Sequence, residues 1–272
     1  MTFFSVEHLT AGYGKQPVID DCSFALSSGS LVGILGANAS GKTTALKAIC
    51  GILPHTGECF LNGLRLEGLS PRRMAQRCSY IPQRSGIAID IPALDVVLMG
   101  FNPHLRLMER PPPAMRGLTE GLPPAARALA QVGLAGREED NYLRLSEGQK
   151  QLCILARTLV MDAELLIMDE PESALDFRYR YRLMDAVRAS LRERGSVGLV
   201  ALHDPALALN GCDQLILLEA GRLAGILRPA EDPLPCMQAA LTRLYGPISL
   251  ATVRNAGGEE QLVLLREREA TT

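Results

Sequence analysis

Hydrophobic and polar positions divide this 272-residue chain into stretches with different periods. The first third reads mostly as strands. Phe3–Leu9, Val18–Leu26 and Glu58–Leu61 carry partly alternating or β-favouring residues, broken by AGYG, SSGS and HTG turns. Leu31–Leu35 (LVGIL) is a continuous apolar run, the pattern of a strand covered on both faces of a parallel sheet. Lys42–Cys50 then has helical spacing, with Leu46 and Ile49 apolar. Two further buried-strand runs, Leu165–Met168 and Val197–Leu202, flank Phe177–Arg194, which reads as an amphipathic helix with Arg on its wet face. Leu215–Leu218 and Gly221–Leu227 add strands. Strand–helix–strand alternation of this kind predicts an α/β sheet with helices on both faces.

The middle differs. From about Gln83 to Lys150 the pattern turns helical, interrupted by prolines, and Pro103–Pro124 (with PPP and LPP) predicts an exposed, partly irregular loop. The tail, 246–272, has one strand-like run at Gln261–Leu265 and ends in charged residues. The chain therefore reads as a single domain: an α/β core at about 1–82 and 151–245, a helical insert at about 83–150, and a C-terminal tail. No internal repeat is visible.

Composition narrows the classes of function. Hydrophobic residues make up 47% of the chain, enough for a large core without staples. A net charge of -2 and the absence of Trp argue against nucleic acid as a partner. The seven Cys are odd in number and no two sit at CxxC spacing, which disfavours disulfides and a zinc site and favours buried thiols in a reducing compartment. The N-terminus MTFFSVEHL lacks the marks of a signal peptide. No apolar run approaches the ~18–20 residues that cross a bilayer. Work at a membrane would need another chain to hold this one there.

The chemistry starts at Gly36–Thr43, GANASGKT, which matches GxxxxGK[ST] between a buried strand and a helix. Gly36 and Gly41 let the backbone of Ala37, Asn38, Ala39 and Ser40 curl so that N–H groups face a phosphate. The helix N-terminus, which includes Thr44, adds partial positive charge. Lys42 reaches the β- and γ-phosphates, and Thr43 offers a hydroxyl to Mg²⁺. LLIMDE then puts Asp169 and Glu170 at the end of a buried strand, where open α/β sheets bind ligands. Asp169 suits Mg²⁺, and Glu170 suits a general base acting on water.

A further string narrows the field. Leu145–Gln149 (LSEGQ), followed by an apolar-periodic helix, resembles the LSGGQ signature of ABC ATPases, and lies between the phosphate loop and the Asp-Glu pair as it does there. Tyr13 in AGYG resembles the aromatic that stacks on adenine. Gln83 in YIPQ resembles the glutamine that senses Mg²⁺ and the γ-phosphate. SALD at Ser173–Asp176 resembles the D-loop, and His203 in ALHD the switch histidine. The ordered match runs from about residue 3 to about residue 245.

The resemblance implies a P-loop NTPase (RecA-like) core with a parallel sheet, an N-terminal antiparallel β subdomain and a helical insert. It implies ATP and Mg²⁺ as cofactors and catalytic roles for Glu170, His203 and Gln83. It implies head-to-tail pairing with a second copy. Ser146, Glu147, Gly148 and Gln149 of one copy, with Asp176, would then lie against the ATP held by the other. More weakly, LDVVLMGFNPHL and LHDPALAL resemble the ATPases of importers for iron–siderophore complexes, haem or cobalamin. Such a subunit lies on the cytoplasmic face of the membrane, held by transmembrane permease subunits and served indirectly by an extracytoplasmic substrate-binding protein. Iron chelate leads among the substrates implied, and Phe101 and Leu105 are the expected permease contacts.

Departures from the family pattern carry expectations of their own. Ala39 stands where Gly is frequent, which predicts a backbone with no need for positive φ there. Glu147 replaces the first Gly of the signature and is expected to point to solvent. The competing class is a soluble ABC ATPase of DNA repair or translation, against which the chain offers one cassette, no heptad run and no basic arm.

Overall fold

The computed structural model describes residues 2–83, 87–88, 90–105 and 124–267. Most of the predicted Pro-rich loop, 106–123, lies outside them. Six strands build the central sheet: β3 (Leu31–Leu35), β6 (Cys78–Ile81), β7 (Leu165–Asp169), β8 (Val197–Ala201), β9 (Gln214–Glu219) and β10 (Arg222–Leu227). Their order is β10-β9-β3-β8-β7-β6, parallel from β9 to β6 and antiparallel only at β10.

The continuous apolar runs have a direct physical reason. Every residue of β3, β7 and β8 is buried, and alternate side chains enter different cores. Leu31, Leu35, Leu166, Met168 and Val200 join one cluster, which takes in the helical segments. Val32, Ile34, Leu165, Ile167 and Leu199 join the other, against the N-terminal strands. Each such side chain contributes roughly 1.5–3 kcal/mol of burial, so a polar substitution on either face would be felt.

The second core is closed by an antiparallel sheet of β1 (Thr2–Ala11), β2 (Ile19–Ser27), β4 (His55–Leu61) and β5 (Leu64–Arg65), ordered β2-β1-β4-β5. Helix α1 (Lys42–Ile49) lies in the same core and presents Leu46 and Ile49 to it, as their spacing predicts. Helix α2 (Pro71–Arg77), capped by Ser70, leads into β6.

The other face holds α3 (Ala93–Leu98), α4 (Pro124–Gln131), α5 (Glu147–Leu159) and α6 (Phe177–Arg194). Helix α5 is continuous through position 150, where the sequence pattern placed the end of the insert. Asp176 starts α6 by accepting a hydrogen bond from Tyr179 N–H at 3.0 Å, and Gly195, at φ 64°, ends it. Helices α7 (Pro205–Gly211) and α8 (Leu234–Tyr245) follow. The tail forms a hairpin, β11 (Ile248–Arg254) with β12 (Glu260–Arg266), where the sequence showed one strand-like run. Among the described residues no helix is long and apolar enough to cross a membrane.

Candidate nucleotide-binding and hydrolysis site

The parallel register brings four strand ends to one edge: Ile81 pairs with Met168, Asp169 with Ala201, and Ile34 with Ala201. The loops leaving those ends carry Gly36–Thr43, Gln83, Glu170 and His203. They line a cleft of ≈ 490 Å³ with Asn38 to Thr44, Gln83, Glu170, His203 and Val18 in its walls. Tyr13, Ser146–Gln149 and Asp176 are not among the residues lining it.

In the loop, Ser40 N–H donates to Ala37 O at 3.1 Å, closing a four-residue turn whose third residue is Ala39. Ala39 has φ 62°, against the expectation of a negative φ there. The turn needs the left-handed conformation that glycine holds freely, and alanine accepts it at about 1–2 kcal/mol because its exposed methyl meets no wall. Gly36 is required for another reason. A Cβ there would sit 2.4 Å from Ser40 Oγ and 2.5 Å from Leu218 O. Ser40 Oγ is itself buried without a protein partner, as suits a hydroxyl kept for a ligand oxygen.

Lys42 is buried, and its Nζ donates to Gly36 O at 2.8 Å and Ala37 O at 3.3 Å. One of its three N–H donors is left for a phosphate oxygen. Burial lowers its pKa, offset in part by the charges of Glu170, Asp169 and Glu172. Thr43 Oγ1 donates to Asp169 Oδ1 at 2.9 Å, and Tyr80 OH donates to Asp169 Oδ2 at 3.3 Å. Two hard oxygens ~2.9 Å apart match adjacent corners of an octahedral Mg²⁺ shell with bonds of 2.0–2.1 Å. The donor set therefore fits both a polyphosphate and its magnesium.

Glu170 is held from two sides. Gln83 Nε2 donates to its Oε2 at 2.5 Å, and His203 Nε2 lies 2.5 Å from its Oε1. A carboxylate only accepts, so that imidazole nitrogen carries the proton. The backbone of Glu170 is at φ 51° and its N–H is tied to Ala201 O at 3.1 Å. A left-handed glutamate is strained by about 1–3 kcal/mol, and here the strain aims its carboxylate into the cleft.

Two residues escaped the sequence reading. Tyr80, in the YIPQ string, orients Asp169. Glu172 is buried, and its Oε1 accepts the backbone N–H of His203 at 3.1 Å, tying the histidine's loop to the turn that carries Glu170. The signal was a second Glu two positions after Asp-Glu. Burial raises the pKa of Glu172, opposed by the hydrogen bonds it accepts from backbone. A raised folded-state pKa means the folded chain holds this proton more tightly than the unfolded chain. Its contribution is fully present below the ordinary value of 4.5 and is lost as pH rises through the folded value. Glu172→Gln should therefore raise the Tm at pH 8 by on the order of 1–3 °C and gain less at pH 4–5. An equal gain at both pH values in thermal melts would remove ionisation as the cause.

The signature stands at the start of α5. Ser146 Oγ accepts Gln149 N–H at 3.3 Å and Gln149 Oε1 accepts Ser146 N–H at 3.0 Å, a reciprocal capping box. Gln149 is thus committed to the helix end, a task the sequence reading did not separate from nucleotide contact. Gly148 packs against the D-loop of its own chain, where an added Cβ would lie 3.3 Å from Ala174 O. Glu147 points to solvent, as expected, and pairs with Lys150 at 2.8 Å. Glu147→Gly should leave ATP turnover within a few-fold, since an exposed pair of this kind is worth about 0–1 kcal/mol. A large gain in nucleotide affinity would show the carboxylate acting on the phosphates instead.

A parallel sheet with a glycine-rich loop at its carboxyl edge and an Asp-Glu pair beside it defines a P-loop nucleoside-triphosphatase. The profile of one such family, described as ABC transporter, matches residues 19–173. The hemin import ATP-binding protein HmuV of Bordetella pertussis is 37% identical over 248 residues, covering 88% of this chain and 90% of that protein. An iron chelatin transport ATP-binding protein of Helicobacter pylori is 31% identical over 242 residues, covering 88% and 91%. The fold also matches a metal-chelate type ABC transporter in an inward-facing conformation, with TM-score 0.80 at 22% identity over 98% of this chain and 99% of that one. The chain belongs to the ABC transporter family. It is an ATP-binding subunit, and its reaction is ATP hydrolysis.

Proposed function

We propose that this ATPase powers an importer of a metal chelate, with haem the first substrate to test and iron–siderophore the next. The observation that carries the reading is likeness over nearly the whole chain to a hemin-import subunit, with an iron-chelate subunit behind it. Cobalamin stands third.

ATP lies along Gly36–Thr44, with Lys42 and the loop N–H groups on its β- and γ-phosphates and the exposed ring of Tyr13 free to stack on adenine. Thr43, Asp169 and the Oε1 of Gln83 would hold Mg²⁺, which neutralises charge on the phosphate oxygens. Glu170 takes the proton of the attacking water while His203 and Gln83 fix its carboxylate. The cleft is open to solvent. A second copy, placed head to tail, closes it with the hydroxyl proton of its Ser146 and the N–H groups of the first turn of its α5. Because Gly148 rests on Ala174, its signature and D-loop with Asp176 would move as one piece.

The membrane partner docks in a second cleft, of ≈ 610 Å³, between α2 and the helical insert. Ile52, Leu69, Met74, Met99 and Met161 give it a pliable apolar wall suited to a short helix from a permease. Of the two expected contacts, Phe101 is half-buried against the interior cluster, and Leu105 is half-buried with its carbonyl accepting from Arg72; both follow directly on the segment lining this cleft. The test is purification from membranes followed by uptake of labelled haem, siderophore or cobalamin into vesicles holding the complex and its binding protein. Recovery of a partner-free, fully soluble ATPase would sink the importer reading.

A further inference from the structure

We propose that His55, Cys59 and Glu67 form a binding site for a borderline divalent cation of the zinc type, in the antiparallel sheet and separate from the nucleotide cleft. Their ligand atoms all lie within 4.8 Å of one another. A tetrahedral zinc spaces its N, O and S ligands by ~3.3–3.6 Å, so small side-chain adjustments suffice.

The sequence builds this cluster through a bend. His55 and Cys59 are four apart on β4, and a straight strand would hold their side chains too far apart to share an ion. Gly57 stands between them at φ 93°. A Cβ there would lie 2.5 Å from the carbonyl oxygens of both Glu7 and His8, so only glycine allows the strand to bend and press onto β1. The β4–β5 turn then brings Glu67 back over the strand. Its Oε1 lies 3.2 Å from His55 Nε2 and accepts Cys59 N–H at 2.8 Å.

The surroundings suit a metal as well. His55 Nδ1 faces Leu53 O at 3.4 Å and can keep its proton there, while the proton that Nε2 shares with Glu67 Oε1 in the metal-free site is the one a bound ion would displace. Arg65 Nε holds Glu67 Oε2 at 3.3 Å, leaving Oε1 turned inward. The side chains of His55 and Glu67 are 10% and 21% exposed and Cys59 is buried, so an ion would meet little water beyond a fourth ligand. Thiolate, imidazole and carboxylate together favour zinc over magnesium or calcium. The CxxC test applied to the sequence does not reach a site built on a single cysteine.

The experiment uses the full chain, stripped with chelator and free of nucleotide and magnesium, titrated with cobalt(II) chloride. The proposal expects one cobalt per chain and a thiolate-to-cobalt absorption in the near ultraviolet, displaced by zinc. Cys236→Ser, which removes the exposed thiol, should keep the band. Cys59→Ser should abolish it. His55→Gln and Glu67→Gln should each weaken cobalt binding by more than about 100-fold, beyond the 10–100-fold typical of outer-sphere changes. Absence of the band in the parent chain, or its survival in Cys59→Ser, overturns the site. Should Cys59→Ser not fold, His55→Gln decides: unchanged cobalt affinity in that variant overturns the site equally.

Discussion

Glu170→Gln should lower steady-state ATP turnover by roughly 10²- to 10⁴-fold, the range that a positioned general base contributes. The substitution keeps size and shape but changes the hydrogen-bond arithmetic. Glu170 accepts from Gln83 on one oxygen and from His203 on the other. An amide has one acceptor oxygen and one NH₂ donor, so either His203 faces a donor and lets go, or Gln83 must flip its amide and withdraw its Oε1 from the cleft. The variant thus loses the base and loosens one of the groups that aims it. Nucleotide affinity should hold or rise, because a negative charge beside the γ-phosphate is gone. Single-turnover hydrolysis with retained labelled ATP is the readout, and a paired, ATP-loaded state should accumulate. Undiminished turnover would remove Glu170 from the role. His203→Ala, which keeps the carboxylate, should show a smaller fall.

The parts of the fold that were legible in the sequence share one property: both faces or one full helical face are buried. LVGIL, LLIM and VGLVAL announce buried parallel strands because each alternate residue enters a core. Strand β6 was not legible. It has four residues, pairs only with β7 at the sheet edge, and sits directly after an Arg-rich helix, so no period is long enough to register. The hairpin of the tail was half visible for a similar reason. Five of the seven residues of β11 and all of β12 are half-buried or exposed, and exposure erases the pattern. At the site, motif order located the reacting groups, but motif order is silent on conformation. It suggested a relaxed Ala39 where the loop imposes φ 62°, and it passed over Glu172, whose worth lies in a backbone contact 31 residues away.

Lys42→Ala carries the second large effect, and it falls on binding instead of turnover. The ammonium is the buried positive charge nearest the phosphates, anchored by two carbonyls of its own loop. A hydrogen bond to a charged group is worth about 1.5–3 kcal/mol, and the one phosphate contact left to this ammonium would be lost. ATP affinity should therefore fall by about 10- to 100-fold, measured by titration with a fluorescent ATP analogue. Lys42→Arg separates charge from fit. The planar guanidinium keeps the charge, yet its fork does not suit a site shaped around two carbonyls and one tetrahedral ammonium, so ATP affinity should be only partly restored. If Lys42→Ala binds ATP within threefold of the parent, the loop backbone alone holds the phosphates and the assigned role of Lys42 is wrong.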